Sequence, residues 1–542
     1  MNKTFIRLLE KRGFKPSFLK PKYEEGIDPF KLADMDKVVA RIKKAIKSQE
    51  KILIYGDYDV DGVTSSTLME QTLILAGVQS QNLEIMLPDR FADGYGMSPK
   101  LITRAKKQGI TLVITVDCGS HNHAIIDELN TLGIDTIVTD HHETSNTLPE
   151  SIAVINPHRK DYPTPELQNI AGVGVAFKVA EALQKEGMIK PGQEKWLLDL
   201  VLLGTICDSM TLIGENRRLC YYGLKVLART RRPGLIELMQ KAGVKSLNSE
   251  SIGFQIGPRL NAAGRLESAT TSLELLRTDS PTESASIANK LEQLNQKRKT
   301  EQNSATREIK ERGVSNDPVI IETGKWHEGI LGIVAGRLVE DYHKPAFVLT
   351  ETQEGVFKGS GRSFGDFNLA DALTHLKDII IGGGGHAGAA GVKVAKENLY
   401  QFRERLNEYY HSLNLGDQSK FFIETPDLEL TDFSDLTLEL LDDLKSLEPF
   451  GPGNEEPIFC LKDVQIVNLT RMGADRNHLR LDLRDKNGKT LKLVAFFAPE
   501  KWFNLDPDYN RIEPIIKLTE NEWGGVKSVE ARLLDLTLLE DN

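Results

Sequence analysis

Short apolar runs alternate with helical periodicity along the first third of the chain. Residues 51–55 (KILIY) form an apolar run that ends at Gly56 and predicts a buried strand. A helix is expected over 63–78 and a second strand over 83–87. LITRAKKQG then predicts a helix, TLVITV a strand, HAIIDELNTLG a helix closed by Gly133, and TIVTD another strand. Strands alternating with single helices at short spacing indicate a doubly wound parallel sheet. Residues 170–240 read as mostly helical.

Ser280-Pro281-Thr282-Glu283 is a helix start: a capping Ser, Pro at the first helical position and Glu three after the cap. No Pro or Gly follows until Gly313, so a helix of about 48 Å at ~1.5 Å per residue is expected. It is too polar for a core helix and reads as a connector. A second, smaller α/β unit begins at 318, with PVIIET and PAFVLT as strands flanking the helical GILGIVAGRLVE. A glycine-rich stretch and a helix over 397–413 complete it. Residues 424–448 are acidic and partly helical. Beyond about 453 the pattern becomes all-β: Leu479, Leu481 and Leu483 alternate up to Asn487-Gly488, and Leu491, Leu493 and Ala495 alternate after it, a hairpin signal. A second hairpin follows in IIKLTENEWGGVKSVEARLLDLTL. The expected organisation is a catalytic domain with an N-terminal extension over 1–279, a connecting helix over 280–313, a smaller α/β domain over 314–415, an acidic linker over 416–449 and a β domain over 450–542.

A chain of 542 residues is too long for one core, consistent with that division. The N-terminal MNKTFIRLLEKRGF mixes charged and apolar residues and does not read as a signal peptide. The richest apolar run, 196–206, is interrupted by Asp199, so no membrane span is expected. Cys118, Cys207, Cys220 and Cys460 are scattered, which argues against both a disulfide framework and a cysteine metal site and favours a cytoplasmic setting. The net charge of -10 argues weakly against nucleic acid, but charge is segregated: the first 22 residues are basic and 424–448 acidic.

The chemistry concentrates after the predicted strands. In YGDYDVDGVTSS, Asp57, Asp59 and Asp61 occupy alternate positions, so an extended backbone would project all three the same way. Such close like charges require a cation. A calcium loop of the helix–loop–helix kind does not fit, because a strand precedes and Leu68 stands where its twelfth-position Glu would be. Asp117 directly follows TLVITV, and Asp140-His141-His142 directly follow TIVT. Three strands thus end in carboxylate or imidazole at the edge where open α/β sheets bind ligands. Mixed Asp and His donors suit Mn²⁺ or Mg²⁺, and so many carboxylates suit two ions. Asp208, in LLGTICDSM, does not stand out from other acids on pattern alone.

The order DYDVDG, VDCGS, TDHHE and a later Asp resembles the DHH phosphoesterase superfamily. The second α/β unit resembles the associated DHHA1 domain through GSGRS (359–363) and GGGGHAGAAG (382–391). With PRLNAAGR (258–265), WHEGILGIVAGRL (326–338) and LEPFGPGNEEP (447–457), the likeness narrows to the RecJ family of single-strand-specific 5′→3′ exonucleases. It implies an OB-fold for the terminal β domain. It also implies metal-ligand roles for Asp59, Asp61, Asp117, His141 and Asp208, with Asp117 bridging the ions. By the same resemblance Asp57 and Asp140 either ligate or support a ligand, and His142 faces the scissile phosphate. Arg90, Asn261, Arg265, Ser360, Arg362 and His386 match substrate-contacting positions. Two places depart from the family pattern: Gly383 where an aromatic is usual and Gly336 where Ser is common.

The implied function is release of 5′-mononucleotides from single-stranded DNA in repair and recombination by two-ion hydrolysis. The implied enzyme is a monomer, served by single-strand-binding protein and a RecQ-type helicase. Residues 450–542 weigh against a phosphodiesterase for short oligonucleotides or cyclic dinucleotides, which resembles the same core without a β domain. The intact acid set weighs against a non-catalytic single-strand-binding scaffold.

Overall fold

The computed structural model describes residues 1–94, 96–352, 355–422, 425–506 and 511–539, so Glu424 of the acidic stretch lies outside the described residues. The chain folds as two compact units, one of residues 27–210 and 222–418, the other of residues 1–26, 211–221 and 419–542.

The larger unit holds two sheets. The first contains β1 (Ile52–Tyr55), β2 (Leu83–Met86), β3 (Leu112–Val116), β4 (Asp135–Thr139) and β5 (Ala153–Ile155), all parallel, in the order β2-β1-β3-β4-β5. β1 and β3 are buried on both faces, as continuous apolar runs require. The helix Val60–Ala76 packs against the helices Gly172–Lys185 and Leu198–Cys207 and is buried almost all round. Three of its hydroxyls are satisfied internally: Thr64, Ser66 and Thr67 each donate to the carbonyl four residues back at 2.7–2.9 Å.

The helix Pro281–Arg312 starts at Ser280, whose side chain accepts the Glu283 N–H. It is more than a spacer. Ala288, Leu291, Leu294, Ala305 and Ile309 form a buried stripe at helical spacing, packed on helices of the first domain and on Leu331–Tyr342 of the second. The second sheet contains β6 (Ile320–Gly324), β7 (Ala346–Glu351), β8 (Val356–Arg362), β9 (Gly382–Gly385) and β10 (Ala389–Ala395), in the order β6-β7-β8-β10-β9. Only β6 and β7 run parallel.

In the smaller unit, β11 (Leu428–Leu430) and β12 (Phe459–Leu461) lead to β13 (Val464–Met472), β14 (His478–Arg484), β15 (Thr490–Ala495), β16 (Arg511–Trp523) and β17 (Val526–Leu539). β17 pairs with both β15 and β16, and β16 with β13, so five strands close into a ring. This is the small closed barrel expected of an OB-fold. Leu479, Leu481, Leu483, Leu491, Leu493 and Ala495 are all buried, as their alternation predicts. The N-terminal extension and the acidic stretch belong to this unit. Phe5, Leu8 and Leu9 share its core with Leu440 and Leu441. Sequence order alone attaches residues 1–26 to the first α/β domain; their apolar face is covered instead by residues more than 400 positions away.

Candidate active site

The helix beginning at Val60 interrupts the extended geometry expected for the three aspartates. Asp59 is its N-cap and accepts the Gly62 N–H at 3.0 Å, while Asp61 lies in the first turn. Alternate spacing therefore does not place all three carboxylates alike. Asp57 and Asp59 group with Asp117, whereas Asp61 groups with His141 and Asp208; in each set the donor atoms lie within 4.8 Å of one another. Asp117, His141 and His142 form a third such set.

Each residue arrives for a local reason. Asp117 ends β3 in the left-handed region, φ 60°, its N–H bound to the Thr139 carbonyl. Asp61 accepts the N–H groups of Gly172 at 2.7 Å and Val173 at 3.0 Å, at the start of the helix Gly172–Lys185. Asp208 is the C-cap of the apolar helix Leu198–Cys207. Asp140 is fully engaged: Oδ1 accepts from the His141 and His142 N–H groups and faces His142 Nδ1 at 2.7 Å, and Oδ2 accepts from the Ser120 N–H. It belongs to none of the three donor sets, so its geometry is that of a group orienting His142.

The electrostatics call for cations. Burial, reinforced by Asp59, pushes Asp57 up to about 8 and Asp208 up to about 7. Burial and neighbouring carboxylates raise Asp61 and Asp117 well above the usual range. Burial and the adjacent His142 push His141 down to about 4, so it is neutral near pH 7. Its Nε2 nevertheless faces Asp117 Oδ1 at 3.1 Å, with Asp208 and Asp61 oxygens at 3.7 and 3.8 Å. Oδ1 of Asp57 and of Asp117 are buried and accept no hydrogen bond among the described residues. A neutral imidazole facing an unsatisfied carboxylate oxygen at that distance fits a divalent cation between them. His142 behaves oppositely: burial opposes its charge, but the hydrogen bond and charge of Asp140 outweigh that and raise it to about 9.

Positive charge gathers nearby. Arg265 is driven down to about 9 by burial and by Arg90, Arg298 and Arg362. Among the described residues Arg90, Arg265 and Arg362 have no carboxylate partner within 4.0 Å, although Arg90 lies over the Tyr58 ring at 5.0 Å. Asn261 stands one turn before Arg265 on the helix Gly257–Leu266. Ser360 and Arg362 share one face of β8. Arg90 and Ser360 line a cavity of about 480 Å³ between the two α/β domains of this unit. His386 is exposed in the β9–β10 turn, its N–H donating to the Ala389 carbonyl, and does not line that cavity.

Three family models match in the order of the domains: the N-terminal domain of the DHH family over 51–205, the DHHA1 domain over 316–412 and the RecJ OB domain over 427–535. The single-stranded-DNA-specific exonuclease RecJ of Bacillus subtilis is 36% identical over 550 residues, 98% of this chain and 68% of its own. That of Escherichia coli is 31% identical, across 97% of this chain and 94% of its own. The chain belongs to the RecJ family. A solved RecJ from Thermus thermophilus, in complex with Mn²⁺, superposes with a TM-score of 0.85 at 28% identity, covering 100% of this chain and 76% of that one.

Within the RecJ-family frame, several residues that sequence reasoning passed over shape the site. Gly172 and Gly204 leave room for the acids: a Cβ at Gly172 would lie 2.6 Å from Asp117 Oδ1, and one at Gly204 2.5 Å from Asp61 Oδ1. Asp208 caps the C-terminus of an apolar helix, where a carboxylate opposes the helix dipole and a cation offsets it. Gly359 and Gly361 point into the sheet, where a Cβ would meet Leu349 at 2.5 Å and the Phe347 ring at 2.5 Å.

Proposed function

We propose that the chain is a single-stranded-DNA-specific 5′→3′ exonuclease that releases 5′-mononucleotides by two-ion phosphodiester hydrolysis in DNA repair and recombination. The observation that carries this reading is the neutral His141 facing unsatisfied Asp117 among converging carboxylates, with arginines nearby that have no carboxylate partner among the described residues. Asp57, Asp59, Asp61, Asp117, His141 and Asp208 would hold two Mn²⁺ or Mg²⁺ ions, which supply Lewis acidity toward water and the phosphoryl oxygens. Asp140 keeps His142 protonated and aimed, and His142 donates to a non-bridging oxygen of the scissile phosphate, where negative charge develops. Arg90, Arg265 and Arg362, with Asn261 and Ser360, bind strand phosphates by charge and hydrogen bonds. His386, on its exposed turn, contacts the strand beyond the cavity. The cleft between the α/β domains admits one strand, and the OB domain binds the polymer.

Among the described residues no helix is long and apolar enough to cross a membrane. We place the enzyme in the cytoplasm as a monomer, with single-strand-binding protein and a RecQ-type helicase delivering its substrate. The test is digestion of end-labelled oligonucleotides, single- and double-stranded and of graded length, with Mn²⁺. Single strands should shorten from the 5′ end, and Asp117→Ala should abolish the reaction. Undiminished cleavage by Asp117→Ala would remove the metal centre from the mechanism.

A further inference from the structure

The cavity that holds Arg90 and Ser360 continues past them along β8. Side chains on β8 alternate: Phe357, Gly359 and Gly361 are buried, while Lys358, Ser360 and Arg362 share the other face. In the antiparallel register Lys393 of β10 lies directly opposite Lys358, and Gly391 opposite Ser360. Both lysines line the cavity. Like charges directly opposite one another destabilise a sheet. Lys358 is relieved by Glu328, whose Oε2 lies 2.5 Å from Nζ. Lys393 has no carboxylate within 4.0 Å among the described residues.

The glycines on the same wall give an independent indication. Gly382 pairs with Lys393, and both Gly382 and Gly391 line the cavity. Neither has a left-handed backbone. A Cβ at Gly382 would meet nothing within 4 Å, and one at Gly391 only the Gly359 carbonyl oxygen at 3.9 Å. Neither backbone conformation nor packing requires glycine there, yet glycine in a strand costs chain entropy. A ligand that approaches the strand backbone closely accounts for both positions. Tyr58, Phe91, Leu331 and Ile381, also on the wall, offer an apolar surface of the kind on which a nucleoside packs.

We propose that Lys358 and Lys393 form a second phosphate subsite, ~7 Å along the strand from Ser360. It takes a further phosphoryl group of the bound strand, and Glu328 is the counter-ion that this group displaces. The group comes from one of two sources: the outer phosphates of a polyphosphorylated 5′ terminus, or the next phosphate of the strand backbone. The inference rests on the exonuclease reading for the identity of the strand, but not for the existence of the subsite.

Two measurements test it. The first is calorimetric titration of the whole protein with inorganic tripolyphosphate, without divalent metal and without DNA. Lys393→Ala and Lys358→Ala should each weaken binding about tenfold, the contribution of one charged hydrogen bond. Unchanged affinity in both variants overturns the subsite, even if the wild type degrades DNA normally. Weakened affinity in a protein that cleaves no DNA keeps the subsite and discards the exonuclease reading.

The second compares KM for single strands ending in 5′-hydroxyl, 5′-monophosphate and 5′-triphosphate. If the terminus is the source, Lys393→Ala raises the triphosphate-to-monophosphate KM ratio about tenfold, and Glu328→Gln, which frees Lys358, lowers it. If the backbone is the source, Lys393→Ala raises KM for all three ends alike and leaves the ratio unchanged. KM unaltered for every end overturns the proposal.

Discussion

Asp140 and His142 divide labour that a single ligand set would be expected to share. Asp140 commits both oxygens to backbone N–H groups and the His142 ring, so it has little capacity left for a cation. Its effect falls on His142, which is protonated below about 9 and loses its proton above it. The wild-type kcat/KM should therefore decline as pH rises through about 9. In Asp140→Asn the histidine should fall toward its ordinary value of about 6.5, moving that decline to lower pH and costing about tenfold to a hundredfold at pH 7.5. A pH–rate profile of the variant that still breaks near 9 would deny Asp140 this role. Legibility in sequence differed residue by residue for physical reasons. Asp117 and Asp140 stood out because a buried strand precedes each. Asp208 did not, because helix Leu198–Cys207 is buried all round and its apolar run has no amphipathic face to show which end meets the site. The division of the first three aspartates into two sets was invisible, since it depends on where helix Val60–Ala76 begins.

At the scale of elements, the glycines set the distances. Gly172 opens its helix against Asp117, and its N–H binds Asp61. Gly172→Ala should push Asp117 aside, costing about 1–3 kcal/mol of stability by overpacking and weakening Mn²⁺ binding more than it weakens binding of DNA without metal. Thermal melts and a Mn²⁺ titration of the variant measure both; wild-type metal affinity would show that the close approach does not position the acid. Motif LEPFGPGNEEP finds its explanation here too. Arg217, buried in the smaller unit, donates to the carbonyls of Phe18, Ser446, Leu447 and Pro449 and stacks on Phe18. Asn454 donates to the Leu447 and Pro449 carbonyls as well. Arg217→Ala removes the donor to the Phe18 and Ser446 carbonyls, leaves those of Leu447 and Pro449 to Asn454 alone, and should destabilise that unit by about 3 kcal/mol in denaturant melts. An unchanged midpoint would mean that water replaces the guanidinium. Strands and long helices were readable because burial and capping write themselves into pattern. The clamp was not, because it joins three distant segments through main-chain carbonyls that carry no residue identity.

Across the whole molecule, charge is organised by position, and the net value of -10 conceals it. The larger unit concentrates carboxyls whose protons are held too tightly when no cation is present: Asp57 at about 8 and Asp208 at about 7, with Asp61 and Asp117 also raised. An unfolded aspartate titrates near about 3.9. Between roughly pH 4 and pH 8 these four groups therefore bind more protons in the metal-free native state than in the unfolded chain, and their contribution to stability falls as pH rises. Mn²⁺ reverses that slope, because it replaces those protons and binds more tightly where they are absent. Metal-free protein should melt at progressively lower temperature from pH 5 to pH 8. Saturating Mn²⁺ should add more stability at pH 8 than at pH 5, about 2.7 kcal/mol where free metal exceeds Kd a hundredfold. Calorimetry in buffers of different ionisation enthalpy should register proton release on binding at pH 6 to 7. A metal-induced rise in melting temperature that is the same at pH 5 and pH 8, with no protons released, would mean that the ions do not sit among these carboxylates.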